Sequence, residues 1–349
     1  MEEKKINFKS IGRNMLISFS LTILVVFVLI ILFKGGNFLD AFFEIKPLYL
    51  IISFALVGLS WLLEAFQILY CAKLLSINLS KREAINLALI GNFFSAVTPF
   101  ATGGQPLQMY LLNKNSNVEY GESAFFLLVK EIIAFIVRIS LIIAIPIFIT
   151  FFKFEYTLPK GVNLAIDIGL IVYLLISILI VLALFQTRKI ADFIKKIITK
   201  ILPLKISTKV NEEIDKNVHL FEEGKRSLDK SKINVLLLIF FLNLTQWLSS
   251  LFLPVVLLRG LGSNSPIFSI IFVTIVFLIS VVYVPTPGTS GAAEIGIAFL
   301  FSAFLPRQPL IVFILLWRFF YYYLNIIIGS FFVFKEFISK RKKEKKKNL

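Results

Sequence analysis

Over most of this chain the apolar residues neither alternate nor recur at helical intervals; they form unbroken runs. The stretch MLISFSLTILVVFVLIILF at 15–33 carries no charge, and comparable runs cover 47–71, 123–150, 163–186, 233–258 and 310–334. Each is near or beyond the ~20 residues that take a helix across a ~30 Å hydrocarbon layer, with tilt absorbing any excess. Two further regions, 84–112 and 266–304, are apolar but interrupted, the first by TPFATGGQP at 98–106 and the second by TPGTSGAAE at 286–294. Proline and glycine there end or kink a helix. The pattern predicts an all-α polytopic membrane protein with about six full transmembrane helices plus two broken or re-entrant segments.

Composition agrees with the pattern. Hydrophobic residues make up 58% of the 349 positions and charged residues 17%, against 45–50% and about 25% in a soluble chain. The net charge of +16 is unevenly placed. Residues 187–232 hold twelve Lys/Arg, the tail at 335–349 holds eight, and four precede the first run. Segments this basic resist translocation, so all three are expected in the cytoplasm. That arrangement requires 84–112 to enter and leave on the same side; parity leaves 266–304 open between a re-entrant hairpin and two full crossings. The first run lacks a small-residue cleavage site and is expected to stay as an anchor.

Within 187–232, Ile190, Phe193, Ile194, Ile197, Ile198 and Ile201 fall at helical spacing while Lys195, Lys196 and Lys200 point elsewhere. A basic amphipathic helix of this kind suits an anionic lipid surface. Val210, Ile214, Val218 and Phe221 suggest a second helix after Pro203. The positive charge flanks membrane spans and no recognition fold is present, which argues against a nucleic-acid partner.

The rare residues exclude several chemistries. One cysteine, Cys71, and one histidine, His219, leave no disulfide, no metal cluster and no Cys-His or Ser-His centre within the membrane. No glycine-rich phosphate loop of the G-x-x-x-x-G-K-[ST] type occurs. Neither a metal nor another cofactor is expected.

The two breaks share the pattern T-P-x-x-[T/S]-G-[G/A], with Thr98, Pro99, Thr102, Gly103 and Gly104 matching Thr286, Pro287, Ser290, Gly291 and Ala292. An upstream echo accompanies each, WLLEAF at 61–66 and WLSSLF at 247–252. On the charge-based topology the two halves run in opposite directions, which makes them an inverted repeat. Interrupted segments at matching positions of inverted halves point to a binding site near the midplane, because broken backbone must be satisfied by protein or by a water-filled cavity. Candidate substrate contacts are Thr98, Thr102, Gly103, Gly104 and Gln105 in the first break, and Thr286, Ser290, Gly291 and Glu294 in the second. Kinked packing helices with small-residue contacts are the alternative.

Glu64, Lys130, Glu131, Arg138, Glu294 and Arg318 fall within or beside spans, where an ionised side chain costs ~2.5–3.5 kcal/mol or more. Arg138 and Arg318 each follow a broken segment, one per half, and a planar guanidinium donates two parallel hydrogen bonds to a phosphate. Glu64 and Glu131 are candidates for proton coupling. Glu294 would repel an anionic substrate unless protonated or paired, with Arg318 as the candidate partner. Lys130 is two turns into its span, within snorkelling reach of the interface. For each of these residues a structural ion pair is the competing role.

At the two stretches GNFFSAVTPFATGGQPLQMYLL (91–112) and VPTPGTSGAAEIG (284–296) the chain resembles the lysylphosphatidylglycerol synthase transmembrane-region family, over about residues 10–335. The resemblance implies a flippase-like membrane domain at 15–334, flanked by a basic cytoplasmic N-terminus (1–14) and tail (335–349). It implies a multi-pass protein of the cell membrane that moves an anionic phospholipid, an aminoacylated one included, or a lipid-linked head group between leaflets. Members that aminoacylate lipid carry a soluble catalytic domain, for which the polar segments here leave no room, so lysyltransferase activity is not expected. Competing readings are an intramembrane lipid-modifying enzyme using Glu294 with Glu131 or Glu64, and a membrane subunit that docks a separate synthetase or transferase through 187–232.

Overall fold

The computed structural model describes residues 8–32, 38–151, 185–201, 203–226, 230–281 and 284–339, with isolated positions 171, 175, 178, 179 and 228. The expected span at 163–186, apart from those isolated positions and residues 185–186, and the tail beyond 339 lie outside the described residues. Everything with regular structure in them is helical. In order these elements are α1 (Phe8–Leu32), α2 (Phe38–Phe43), α3 (Pro47–Leu74), α4 (Lys81–Val97), α5 (Gly104–Ser116), α6 (Tyr120–Phe151), α7 (Thr187–Ile201), α8 (Leu204–Arg226), α9 (Ile233–Gly260), α10 (Ile267–Val281), α11 (Ala292–Phe301), α12 (Arg307–Arg318) and α13 (Leu324–Val333). A π-turn at Phe319–Tyr323 joins α12 to α13, so they form one apolar rod over Arg307–Glu336.

Four of these segments are long and apolar enough to cross a membrane: Arg13–Leu32, Pro47–Leu74, Ile233–Gly260 and Arg307–Glu336. Their outer faces present Leu24, Phe27, Ile51, Phe54, Leu62, Leu237, Phe241, Ile327 and Phe331. In water such a surface would be a liability, and in lipid it is the natural exterior. The chain is an all-α membrane protein.

The central pair is α3 with α9. They pack antiparallel along their length: Gly260 meets Tyr49, Asn243 meets Gln67, and the Lys232 ammonium donates to the Leu74 carbonyl at 2.8 Å. Trp61 of the first echo and Trp247 of the second therefore lie at equivalent heights on opposed helices, as an inverted repeat requires.

Each half then adds a hairpin broken at its tip. Ser80 opens α4 with a capping box, its hydroxyl accepting from the Glu83 N–H while the Glu83 carboxylate accepts from the Ser80 N–H. Beyond the break α5 returns alongside α4. A Cβ on Gly104 would stand 2.2 Å from the Ser95 hydroxyl and 2.8 Å from the Gly91 carbonyl, and the Gln108 amide donates to the Leu87 carbonyl at 3.0 Å. Only glycine lets the two backbones approach this closely. In the second half α10 and α11 fold together likewise, with Gly296 against the Phe277 ring. At 1.5 Å per residue the arms of 17 and 13 residues in one hairpin, and of 15 and 10 in the other, reach only about 25, 20, 22 and 15 Å. None matches a ~30 Å core. Over the described residues both interrupted regions fold back on themselves as hairpins.

Each hairpin heads its own apolar core. One gathers Ile68, Ile90, Phe94, Leu111 and Phe126; the other gathers Ile270, Phe301, Phe313 and Trp317. Outside them, α8 packs on α6, with Gly121 against the Asn217 carbonyl and Gly224 against Phe125. α7 packs on α8 and leaves Ile190, Phe193, Ile194, Ile197 and Ile201 exposed. Both helices expected in 187–232 are present.

Candidate functional site

The breaks themselves are near-copies. Thr98 and Thr286 are extended, each is followed by proline and a single 3-10 turn, and positive φ then falls at matching positions: Phe100 and Ala101 at 54° in the first, Gly288 at 58° and Thr289 at 55° in the second. Left-handed backbone at three non-glycine residues is strained, at about 1–3 kcal/mol each, and persists where the surroundings over-determine it. Here the two tips pack against each other. The Thr98 hydroxyl donates to the Phe94 carbonyl at 2.6 Å and accepts from the Gly103 N–H at 2.8 Å, while the Thr286 hydroxyl donates to the Ser290 carbonyl at 2.9 Å. The Thr102 hydroxyl donates to the Pro99 carbonyl and is exposed. The threonines of the shared motif thus spend their hydroxyls on the turns.

Helix α1 ties down both tips. The Asn14 amide donates to the Val97 carbonyl at the end of α4, and the buried Thr22 hydroxyl donates to Glu294 at 2.6 Å. Glu294, fully buried, also accepts from the Gly291 N–H at 2.7 Å and pairs with Arg318 at 2.8 Å. The other Arg318 nitrogens donate to the Gly288 carbonyl at 2.9 Å and the Ser290 hydroxyl at 2.8 Å, with the guanidinium 4.3 Å from the Tyr322 ring centroid. A Cβ on Gly288 would lie 2.0 Å from that ring. Arg318 is therefore enclosed by the second break.

A cavity of about 420 Å³ opens between the two cores. Its walls come from α3, α4, α5, α6 and α9, both breaks, and the π-turn with the residues beside it. On one side lies a charged chain: Lys130 pairs with Glu64 at 3.4 Å and with Glu131 at 4.0 Å, and Glu131 pairs with Arg138 at 3.7 Å. The Asn92 amide donates to Glu64 at 2.8 Å and Gln105 reaches Glu131 at 3.4 Å. Two cations and two carboxylates balance, so the group is neutral. Arg138 also stands 5.7 Å from the Trp247 ring centroid. On the same wall-forming helix α3, Trp61 donates to Asn325 at 2.7 Å, and Gln67 joins Asn243 and Gln246 in an amide relay at 2.8 and 2.7 Å.

Of the residues singled out from sequence, Glu64, Gly104, Gln105, Lys130, Glu131 and Arg318 line this cavity, and Arg138 stands beside it through Glu131. Thr98, Gly103, Thr286, Ser290, Gly291 and Glu294 build the breaks beneath it, and Thr102 faces outward. Arg138 and Arg318 belong to separate polar groups, the first with Glu131 and the second with Glu294. Lys130 does not snorkel: it is 8% exposed and turned inward to Glu64, whose carboxylate offsets part of the cost of burying the ammonium. Thr22, Gln67, Asn92, Asn243, Gln246 and Asn325 were not singled out. Their signal was available, since amides are scarce in apolar runs, but only the packing shows that they converge.

Comparison with known proteins follows the same outline. Residues 15–329 match the family model described as the lysylphosphatidylglycerol synthase TM region. A UPF0104 membrane protein of Archaeoglobus fulgidus is 27% identical over 288 residues, covering 81% of this chain and 85% of the relative. No solved structure matches.

Proposed function

Because the chain belongs to the lysylphosphatidylglycerol synthase transmembrane-region family, a family of membrane domains linked to lipid, we propose that it is a lipid flippase or transporter. Its cargo is an anionic phospholipid or a lipid-linked head group. The observation that carries this reading is the polar cavity of about 420 Å³, set between inverted re-entrant hairpins in a chain whose exterior is apolar. A head group needs a hydrated path through the membrane while its acyl chains remain in lipid, and a cavity between two mirrored halves can open to either side by rocking one half on the other.

In this scheme Gly104 and Gln105 orient the head group at the start of α5. Arg138, half-exposed and held by Glu131 at 3.7 Å, is the cation that can turn to a phosphate. Arg318 and Glu294, with Thr98, Thr286, Ser290 and Gly291, hold the breaks in shape rather than touch cargo. Glu64 and Glu131 would carry any proton coupling. On this reading the basic segments keep both termini and the α7–α8 hairpin on the cytoplasmic side, with the exposed face of α7 suited to an anionic leaflet.

The experiment is leaflet exchange of labelled phosphatidylglycerol in liposomes reconstituted with purified protein, alongside Gly104→Leu and Gly288→Leu variants that remain folded. Exchange in the native protein and its loss in both variants is expected. Exchange no faster than in protein-free vesicles, with and without a proton gradient, refutes the reading.

A further inference from the structure

We propose that uptake of an anionic head group by this cavity is coupled to one proton, and that Glu64 is the residue that takes it; this rests on the transport reading above and specifies its coupling. The charged residues on the cavity wall are Glu64, Lys130, Glu131 and Arg318. Arg318 is held in the second break by Glu294, Gly288 and Ser290. The other three form one linked group with Arg138, which stands beside the cavity and pairs with Glu131 at 3.7 Å. Lys130 is the shared member. Its ammonium lies 3.4 Å from Glu64 and 4.0 Å from Glu131.

The two carboxylates differ in what remains to each when a cation leaves. Among the described residues Glu131 has two cations within 4.0 Å, and Glu64 has Lys130 alone. The other partner of Glu64 is the neutral Asn92 amide of α4, which donates at 2.8 Å. Helices α4, α5 and α9 add no charged side chain to the wall. The remaining titratable groups are the Cys71 thiol, two turns along α3, and the Tyr321 and Tyr322 phenols on the π-turn; none supplies a cation.

When Arg138 turns to a phosphate, Glu131 loses that cation and Lys130 is the one within reach. A paired ammonium settles ~2.8 Å from its carboxylate, so a movement on the order of 1 Å hands Lys130 from Glu64 to Glu131. Glu64 then keeps only the Asn92 amide, and a buried carboxylate without a cation is unstable relative to its neutral acid. A proton from the aqueous phase adds to the Glu64 carboxylate, forming the acid O–H. The negative charge of the head group and the proton cancel, and the group stays neutral as it was before. The amide beside Glu64 suits both states. Asn92 donates to the carboxylate, and rotated it turns its carbonyl oxygen to the acid O–H.

The test counts protons on the full chain in detergent at pH 7, in weak buffer with a pH-indicator dye. Radiolabelled dioctanoyl phosphatidylglycerol is titrated in, so that bound lipid is counted in the same sample. About one proton should be taken up per lipid bound, the difference in protons held by the two states. A carboxylic acid C=O band should appear in the infrared difference spectrum. Glu64→Gln should bind the lipid, take up no proton and lack the band. Glu131→Gln should also bind without uptake, because Lys130 then has no second carboxylate to move to. Dioctanoyl phosphatidylcholine, which carries its own cation, should draw no proton. Binding by the native protein without proton uptake overturns the proposal, and that arm needs no variant. Uptake that persists in Glu64→Gln or in Glu131→Gln, or equal uptake with phosphatidylcholine, overturns it too. A folded native protein that binds no lipid removes the transport reading and the coupling with it. Leaflet exchange in liposomes separates the two claims. Exchange of phosphatidylglycerol without proton uptake sinks the coupling and leaves transport standing. Proton-linked binding without exchange sinks transport and leaves the role of Glu64 standing.

Discussion

Lys130→Met should destabilise the protein because of what it leaves behind. Lys130 and Glu64 are 8% and 9% exposed, 3.4 Å apart, and Glu64 has one other partner, the Asn92 amide at 2.8 Å. Removing the ammonium strands a buried carboxylate, and breaking a buried pair in this way costs about 3–5 kcal/mol. In a chain of this length that corresponds to a fall in unfolding temperature on the order of 5–10 °C. The protein supplies its own reporter. Cys71 is its single cysteine and is 0% exposed, so a maleimide dye that fluoresces on thiol attachment follows unfolding directly. In a Glu64→Gln background the same Lys130→Met change removes a cation that no longer neutralises Glu64, and the loss should shrink by more than half. A loss that is equally large in both backgrounds would refute the pairing. So would a Lys130→Met protein as stable as the native one, which would mean that Lys130 reaches the interface after all.

Three further outcomes are expected. Thr22→Val removes the O–H donated to Glu294 at 2.6 Å and should cost about 1.5–3 kcal/mol, as hydrogen bonds to charged groups do, with Thr22→Ser restoring most of it; the Cys71 dye assay measures both. Single cysteines at Ser80 and Asn117, which bracket the first hairpin, should label from the same side of the membrane with an impermeant maleimide in a Cys71→Ala protein, and labelling from opposite sides would show a full crossing. Gly288→Ala and Gly262→Ala both force a side chain onto positive φ, but only the first collides with a neighbour, the Tyr322 ring; lipid exchange should fall severalfold in Gly288→Ala and stay near native in Gly262→Ala.

Much of this protein is fixed by local chemistry. Unbroken apolar runs give the spans, since a backbone in lipid must satisfy itself within a helix, and Pro99 and Pro287 with their neighbouring glycines give the breaks. The repeated motif and the Trp61 and Trp247 echoes give the two halves. The same local logic predicted the amphipathic face of α7. That the arms of each broken region fold back on one another is known only once the helices are packed.

The site was legible by residue type but not by role. Glu64, Glu131, Arg138, Glu294 and Arg318 stand out because charge is rare in such sequence; the pairing of Glu294 with Arg318 was anticipated and is present, whereas nothing local says that Lys130 faces Glu64. Partners such as Thr22 and Glu294, or Gln67 and Asn243, are 272 and 176 residues apart, and a hydrogen bond of under 3 Å depends on helix rotation and crossing that no local pattern encodes. Periodicity and composition therefore determined the class, the spans and the inverted halves. Only the tertiary packing decided that Arg318 braces the second break, that Lys130 turns inward, and that neutral amides line the space between the cores.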